Sequence, residues 1–300
     1  MGSVNIWEQV IDDYKDVKSD KYLGIFGYPI KHTLSPVIHD TISDELSLKE
    51  RYIPFEIEEN LGEYVKSAYE NGIAGLNITV PYKEKVIPYL CEVDEDAKKI
   101  GAVNTLVRTE KGYKGYNTDM EGLYRSIKET GTDIKDKAVI MLGAGGAARA
   151  VAYMCKKYGA KKVYIINRNI DKAIAIADDM NDKEKLKKFI PFSANEYNNI
   201  SERKYILIQC TSVGLKAEDG LPLIDDLDFY RQASFAVDLI YNPAKTEFVK
   251  SMEELDIPVI NGLKMLLYQG IIANELWNNI KVDVTLTEKI YSKLIKKLYR

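Results

Sequence analysis

Val139–Ala148 reads VIMLGAGGAA: four apolar residues run into a glycine-rich turn, and helix-forming residues follow. The order is strand, turn, helix. The spacing Gly143, Gly145, Ala148 matches the dinucleotide-binding fingerprint, which accepts alanine at its last position. Gly143 permits the tight turn, Gly145 lets the backbone approach a pyrophosphate, and Ala148 lets the helix pack close to the strand. The free N–H groups at the helix start then face the phosphates with the positive end of the dipole. Alone, the pattern is equally a plain turn between a strand and a helix. The next strand, Lys162–Ile166, ends in Asn167-Arg168-Asn169. A free ribose 2′-hydroxyl usually meets an acidic residue at this place, and a 2′-phosphate meets an arginine, whose planar fork suits phosphate oxygens. No carboxylate appears until Asp171, and Lys172 adds a second cation. These residues favour NADP over NAD, against the alternative of a solvated arginine at a strand end.

The first half offers acid–base and hydroxyl groups. Gly75–Val80 reads as a strand that presents Asn77 and Thr79 on one side, because alternate residues share a face. Pro81 is expected to open a helix with Lys83 in its first turn. A cation there opposes the helix dipole, which eases loss of its proton and suits an acid/base. The alternative is an ordinary surface lysine. Asp119 follows Asn117-Thr118 and either does chemistry or caps the helix running to about Glu129. Thr33 and Ser35 precede Pro36, which is placed to open a helix to about Leu46. That hydroxyl-rich helix start suits a small carboxylate, unless Ser35 merely caps the helix.

The elements that must position these groups alternate along the chain. Strands are expected at Tyr22–Phe26, Tyr52–Ile57 and Gly75–Val80, and a hairpin at Ala102–Arg108 and Tyr113–Tyr116 around the turn TEKG. Helices are expected at Leu61–Asn71 and Glu92–Ile100. The second half reads as strands starting at Val139, Lys162, Tyr205, Phe235 and Pro258. Its helices are Ala147–Tyr158, Asp171 to about Asn181, one from Gly262 to about Trp277, and Leu286–Tyr299. This alternation implies two α/β domains with mainly parallel sheets. Residues 1–20 read as an extension, a short polar helix and linker that either packs on the body or forms a mobile arm. Residues 21–118, completed by the C-terminal helices 264–300, form the substrate-binding, catalytic domain. Residues 119–263 form a Rossmann-type domain. The expected place for a ligand is an inter-domain cleft.

Composition removes several function classes. Net charge is −3, so there is no general electrostatic case for nucleic acid. No apolar run approaches the length of a membrane span, and the first residues lack the apolar core of a signal peptide. Three widely spaced cysteines, Cys91, Cys155 and Cys210, suit a reducing, cytoplasmic setting better than a disulfide framework. With His32 and His39 the only histidines, a multi-histidine metal site is not expected. The partners implied are a small-molecule substrate and at most a second copy of the chain, as a homodimer.

Nine segments in order carry a resemblance to a known family: HTLSP (32–36), NITVPYKE (77–84), GAVNT (101–105), YNTD (116–119), GAGGAAR (143–149), NRN (167–169), TSVG (211–214), DLIY (238–241) and NGLKMLLYQG (261–270). Over roughly residues 22–285 the chain resembles the shikimate dehydrogenases. That resemblance implies NADPH-dependent reduction of 3-dehydroshikimate to shikimate in aromatic amino-acid biosynthesis. It implies Lys83 and Asp119 as the catalytic pair, and Asn77, Thr79, Asn104 and Gln269 around the ring hydroxyls. Ser35, with Thr33, and Tyr241 fall on the carboxylate side. Gly143 to Ala147, Asn167, Arg168, Asn169, Lys172 and Thr211 fall on the NADP site, and Leu239 and Gly262 beside the nicotinamide. Three positions depart from the family pattern. Thr33 replaces a serine and keeps its hydroxyl with an added methyl. Gln209 stands where asparagine is usual, and Glu121 where a less charged residue is usual. They leave two other readings open: a quinate/shikimate dehydrogenase with relaxed substrate or cofactor choice, and a non-catalytic paralogue that binds NADP or a metabolite.

Overall fold

The computed structural model describes residues 4–14, 19–181, 187–215 and 222–299. The chain divides into two units, Met1–Gly122 with Leu267–Arg300, and Leu123–Leu266. Each is built on one six-stranded sheet.

The first unit takes its sheet from β1 (Lys21–Gly27), β2 (Glu50–Glu56), β3 (Gly75–Ile78), β4 (Glu92–Val93), β5 (Thr105–Thr109) and β6 (Gly112–Tyr116), in the order β2-β1-β3-β5-β6-β4. β1 pairs in parallel with β2 and β3, while β5 runs antiparallel to β3 and forms the expected hairpin with β6. Side chains alternate across it. Phe26, Ile53, Phe55, Leu76 and Leu106 share one buried cluster, whereas Leu23, Ile25 and Tyr52 turn to the other face and meet Ala273 and Trp277. The helices are α1 (Ser35–Glu45), α2 (Leu61–Glu70), α3 (Glu95–Ile100) and α4 (Asp119–Glu129), the last crossing into the second unit.

The second unit is the more regular. Its strands are β7 (Ala138–Leu142), β8 (Lys162–Asn167), β9 (Phe189–Ser193), β10 (Tyr205–Gln209), β11 (Ala233–Asp238) and β12 (Val259–Ile260). All pairings are parallel, and the order β12-β11-β10-β7-β8-β9 reverses direction beside β7. That is the doubly wound order, which binds ligands at the carboxyl ends of the strands where the order reverses. β7 and β10 are buried along their whole length, as a parallel sheet covered on both faces requires. The helices are α5 (Gly146–Lys157), α6 (Ile170–Met180), α7 (Leu227–Tyr230) and α8 (Glu247–Glu254). α9 (Leu263–Asn278) returns the chain to the first unit, where α10 (Val284–Leu298) closes it.

Several expectations need correction. No helix follows Pro81: residues 81–86 form turns and Ile87–Tyr89 a single 3-10 turn. Pro81 and Pro88 leave less than two turns between them, and the residue before a proline avoids the helical region. β3 stops at Ile78, so Thr79 lies just past the strand. α3 begins at Glu95, because the Asp94 carboxylate caps it by accepting from the Asp96 N–H, and Glu92–Val93 pairs with β6 instead. β9 is a strand the sequence does not suggest, since Pro191 argues against a central strand; it lies at a sheet edge, where proline is tolerated. Among the described residues of 1–20 there are two 3-10 turns, Ile6–Gln9 and Asp12–Tyr14, in place of the expected short helix. Ile6 and Val10 are buried in the first unit's core, and Val10 bridges Phe55 on the edge strand β2.

Candidate active site

Lys83 sits on the turn after β3. Its carbonyl accepts the Val103 N–H at 2.8 Å, which docks that turn on the segment leading into β5. The helix dipole expected to act on Lys83 is absent; its neighbour is a carboxylate. Lys83 Nζ lies 2.6 Å from Asp119 Oδ2, with the two side chains 34% and 13% exposed. Asp119 is the first residue of α4, where the dipole favours an anion. It is not needed as the cap. Asn117 Oδ1 accepts the Met120 N–H, and Asn117 Nδ2 donates to the Ala102 carbonyl. The Asp119 carboxylate thus remains available to Lys83.

A buried amide and hydroxyl network adjoins this pair. Asn104 Oδ1 accepts the Thr118 N–H at 2.7 Å, and Asn104 Nδ2 donates to Thr118 Oγ1 and, at 3.5 Å, to Gln269 Oε1 on α9. Asn77 Nδ2 donates to the Asn104 carbonyl and to Thr105 Oγ1, and Asn77 Oδ1 accepts the Tyr52 hydroxyl at 2.7 Å. Tyr52 also bonds the Ser35 hydroxyl, and the Thr33 hydroxyl donates to Ser35 Oγ at 3.2 Å. One connected chain therefore runs from Thr33 to Thr118, next to Asp119. Asn77 and Asn104 are 4% and 2% exposed, so they form its floor. Thr79 is partly exposed and its N–H donates to the Phe26 carbonyl. Ser35 is the first residue of α1 and makes no capping bond.

In the second unit the glycine turn lies where β7 meets α5. Gly143 has φ +106°, and a Cβ there would stand 2.7 Å from Thr211 Cγ2, so neither conformation nor space admits a side chain. Gly145 caps α5 with no side-chain bond, and a Cβ at Gly145 or Gly146 would meet nothing within 4 Å. Together with the exposed Ala147, this is an open, uncapped helix start, the arrangement that binds phosphate. Asn167 Oδ1 accepts the Ala144 N–H, its Nδ2 donates to the Asn169 carbonyl, and Asn169 caps α6. These two asparagines shape the loop that carries Arg168, which is exposed, as is Lys172. The residues fit a dinucleotide with a 2′-phosphate. Gln209, one of the departures from the pattern, accepts at Oε1 from the Thr211 N–H and hydroxyl. Gly262 lies so close to Leu239 that a Cβ would overlap the Leu239 carbonyl oxygen, and its N–H donates to the Ile240 carbonyl. Tyr241 is partly buried, which raises its hydroxyl pKa above the usual phenol value. Asp238 is fully buried and accepts from the Ile240 N–H and from the Thr246 hydroxyl, at 3.0 and 2.5 Å.

Two family models match the chain, one described as the shikimate dehydrogenase substrate binding domain over residues 25–106, the other as shikimate/quinate 5-dehydrogenase over residues 125–215. A relative from Carboxydothermus hydrogenoformans named shikimate dehydrogenase (NADP(+)) is 40% identical over 280 residues, covering 90% of this chain and 95% of its own. The chain belongs to the shikimate dehydrogenase family. A solved shikimate dehydrogenase in complex with NADP+ superposes with a TM-score of 0.83 at 32% identity, over 93% of this chain and 96% of that one. The shikimate dehydrogenase of Thermus thermophilus in complex with NADP(H) and shikimate gives 0.79 at 30% identity, over 91% and 99%. The family thus has structures carrying the same two small molecules that the sequence motifs imply.

The sequence missed Tyr52, His39 and Thr118 as parts of the network. Thr118 lay inside a recognised motif without a role. His39 follows Ser35 by four residues and so shares its helix face, a signal that was available. Tyr52 gave none, because a tyrosine in a strand is ordinary core.

Proposed function

We propose that this chain reduces 3-dehydroshikimate to shikimate with NADPH, reversibly, in aromatic amino-acid biosynthesis. The observation that carries the proposal is the Lys83–Asp119 contact beside the buried amide and hydroxyl chain. NADPH, when bound, supplies a hydride to the ring carbonyl carbon. The carbonyl oxygen then needs a proton and a positive neighbour. Lys83 provides both, because an ammonium donates a hydrogen bond to a developing oxyanion and can release its proton to it. Asp119 holds Lys83 and a ring hydroxyl in register. Thr33, Ser35 and Tyr241 receive the substrate carboxylate, while Asn77, Thr79, Asn104 and Gln269 fix the ring hydroxyls. On the cofactor side, Gly143 through Ala147 and Thr211 take the phosphates. Arg168, on the loop shaped by Asn167 and Asn169, and Lys172, in the first turn of α6, take the 2′-phosphate. Leu239 and Gly262 flank the nicotinamide. The three cysteines are free thiols, which supports a reducing, cytoplasmic setting.

Replacement of Lys83 tests the proposal. In Lys83→Ala, turnover with shikimate and NADP+ should fall at least ~10²-fold, the scale of general acid–base catalysis, while calorimetric affinity for shikimate stays close to wild type. A variant that keeps near-normal turnover removes Lys83 from the chemistry.

A further inference from the structure

His39 lies beneath the hydroxyl chain and the mechanism above gives it no role. Its ring stacks on Tyr52, with centroids 4.1 Å apart and planes 16° off parallel, and meets Trp277 at 5.0 Å. Its Nδ1 is 3.4 Å from Asn274 Nδ2. That amide can face only one way. Its Oδ1 accepts from Asn278 Nδ2 at 3.1 Å, and its Nδ2 points to the buried Glu50 Oε1 at 3.4 Å. Turning it round would set its oxygen against the carboxylate and its NH2 against another NH2. Asn274 therefore donates, Nδ1 accepts, and a neutral ring carries its proton on Nε2. Burial lowers the ring's pKa to about 3, so it is neutral at working pH. Asn77 is the side chain within reach of the His39 ring, but the two do not meet in hydrogen-bond geometry, and the buried Nε2 has no partner among the described residues. A buried N–H left in this way calls for an explanation.

The direction of the hydroxyl protons supplies one. Thr33 donates to Ser35, and Tyr52 donates to Asn77 Oδ1. Because the Tyr52 proton is engaged there, its oxygen accepts from Ser35. All three protons are thus engaged within the chain. An incoming carboxylate needs the Thr33 and Ser35 protons turned outward. Ser35 Oγ then becomes the acceptor for Tyr52, and Asn77 Oδ1 loses its donor. We infer that His39 is a positioning residue whose Nε2–H is held in reserve for Asn77 Oδ1, so that the hydroxyl chain can reverse when a carboxylate substrate binds. This rests on the shikimate reading of the site.

Two measurements test it. The first compares KM values for His39→Phe, which keeps a ring on Tyr52 but has no donor, and His39→Gln, whose amide restores one. His39→Phe should raise KM for shikimate about tenfold, the scale of one unmade buried hydrogen bond. KM for NADP+ should stay unchanged, and His39→Gln should return shikimate KM to near wild type. An unchanged shikimate KM in His39→Phe, an equal rise for NADP+, or failure of His39→Gln to restore it overturns the inference. The second needs no variant. Nitrogen-15 spectra of the wild-type imidazoles should place the His39 proton on Nε2 and show it shifting with shikimate but not with NADP+ alone. A proton on Nδ1 overturns the inference even where turnover is normal. Absence of shikimate turnover in the wild type, with the Nε2 proton in place, overturns the functional reading instead.

Discussion

The two units build their candidate sites from opposite materials. In the first, side chains do the work: Lys83 meets Asp119, and amides and hydroxyls from Thr33 to Thr118 satisfy one another inside a mixed sheet. In the second, the absence of side chains does it: Gly143 admits no Cβ, Gly145 and Gly146 face open space, and α5 starts without a side-chain cap. A side-chain site fails when a polar group is changed. A backbone site fails when an atom is added. The contrast also shows in their buried ionisable groups. Burial pushes His39 down to about 3 and Asp238 up to about 6, in each case against the charged form.

The contrast can be broken by adding atoms to the backbone site. The largest effect should come from Gly262→Ala, whose methyl overlaps the Leu239 carbonyl. Overpacking against backbone should cost about 3 kcal/mol, at the upper end of its usual range, read as a fall in denaturant midpoint. A variant as stable as wild type would show that the Leu239–Gly262 contact can relax. Next is Arg168→Ala, which should weaken NADP+ binding about tenfold or more, as loss of a charge-assisted hydrogen bond does, with little change for NAD+. Equal losses for both cofactors would remove the 2′-phosphate from the account. Gly145→Ala sharpens the comparison further. Its φ of −86° accepts alanine and its Cβ meets no protein atom. Stability should therefore hold while NADP+ affinity drops; loss of both together would mean the turn is not open.

The smallest effect is one of pH. The folded Asp238 titrates near 6 and its unfolded form near the ordinary 3.8. Between those values the folded chain holds more protons, so this group's contribution to stability rises as pH falls through 6. Comparison of wild type with Asp238→Asn in denaturant melts at pH 7 and pH 5 should show the wild type gaining on the variant at the lower pH. A difference independent of pH would mean that Asp238 is not held neutral-favouring by its burial.

Legibility in the sequence followed the same division. The backbone site was the more legible, because the spacing Gly143, Gly145, Ala148, equally a plain turn when read alone, is followed one strand later by Arg168, where the 2′-group would be met. The doubly wound sheet followed from the alternation, except for β9, whose Pro191 masks an edge strand. From the residue types and spacing the side-chain site was readable only as isolated positions, and the family resemblance grouped them. The helix expected at Pro81 is absent, so no dipole acts on Lys83, and its Asp119 neighbour takes that place. Bonds such as Tyr52 to Asn77 join residues 25 positions apart, and no local pattern encodes them. Residues 1–20 looked polar as a whole, yet Ile6 and Val10 are enough to anchor that segment in the core.

The most direct test of the central claim is to assay the wild-type protein with shikimate and with quinate, each with NADP+ and with NAD+, following the absorbance of the reduced nicotinamide. The account predicts turnover with shikimate and NADP+ well above every other pair. Turnover favouring quinate or NAD+, or none with any pair, would contradict it.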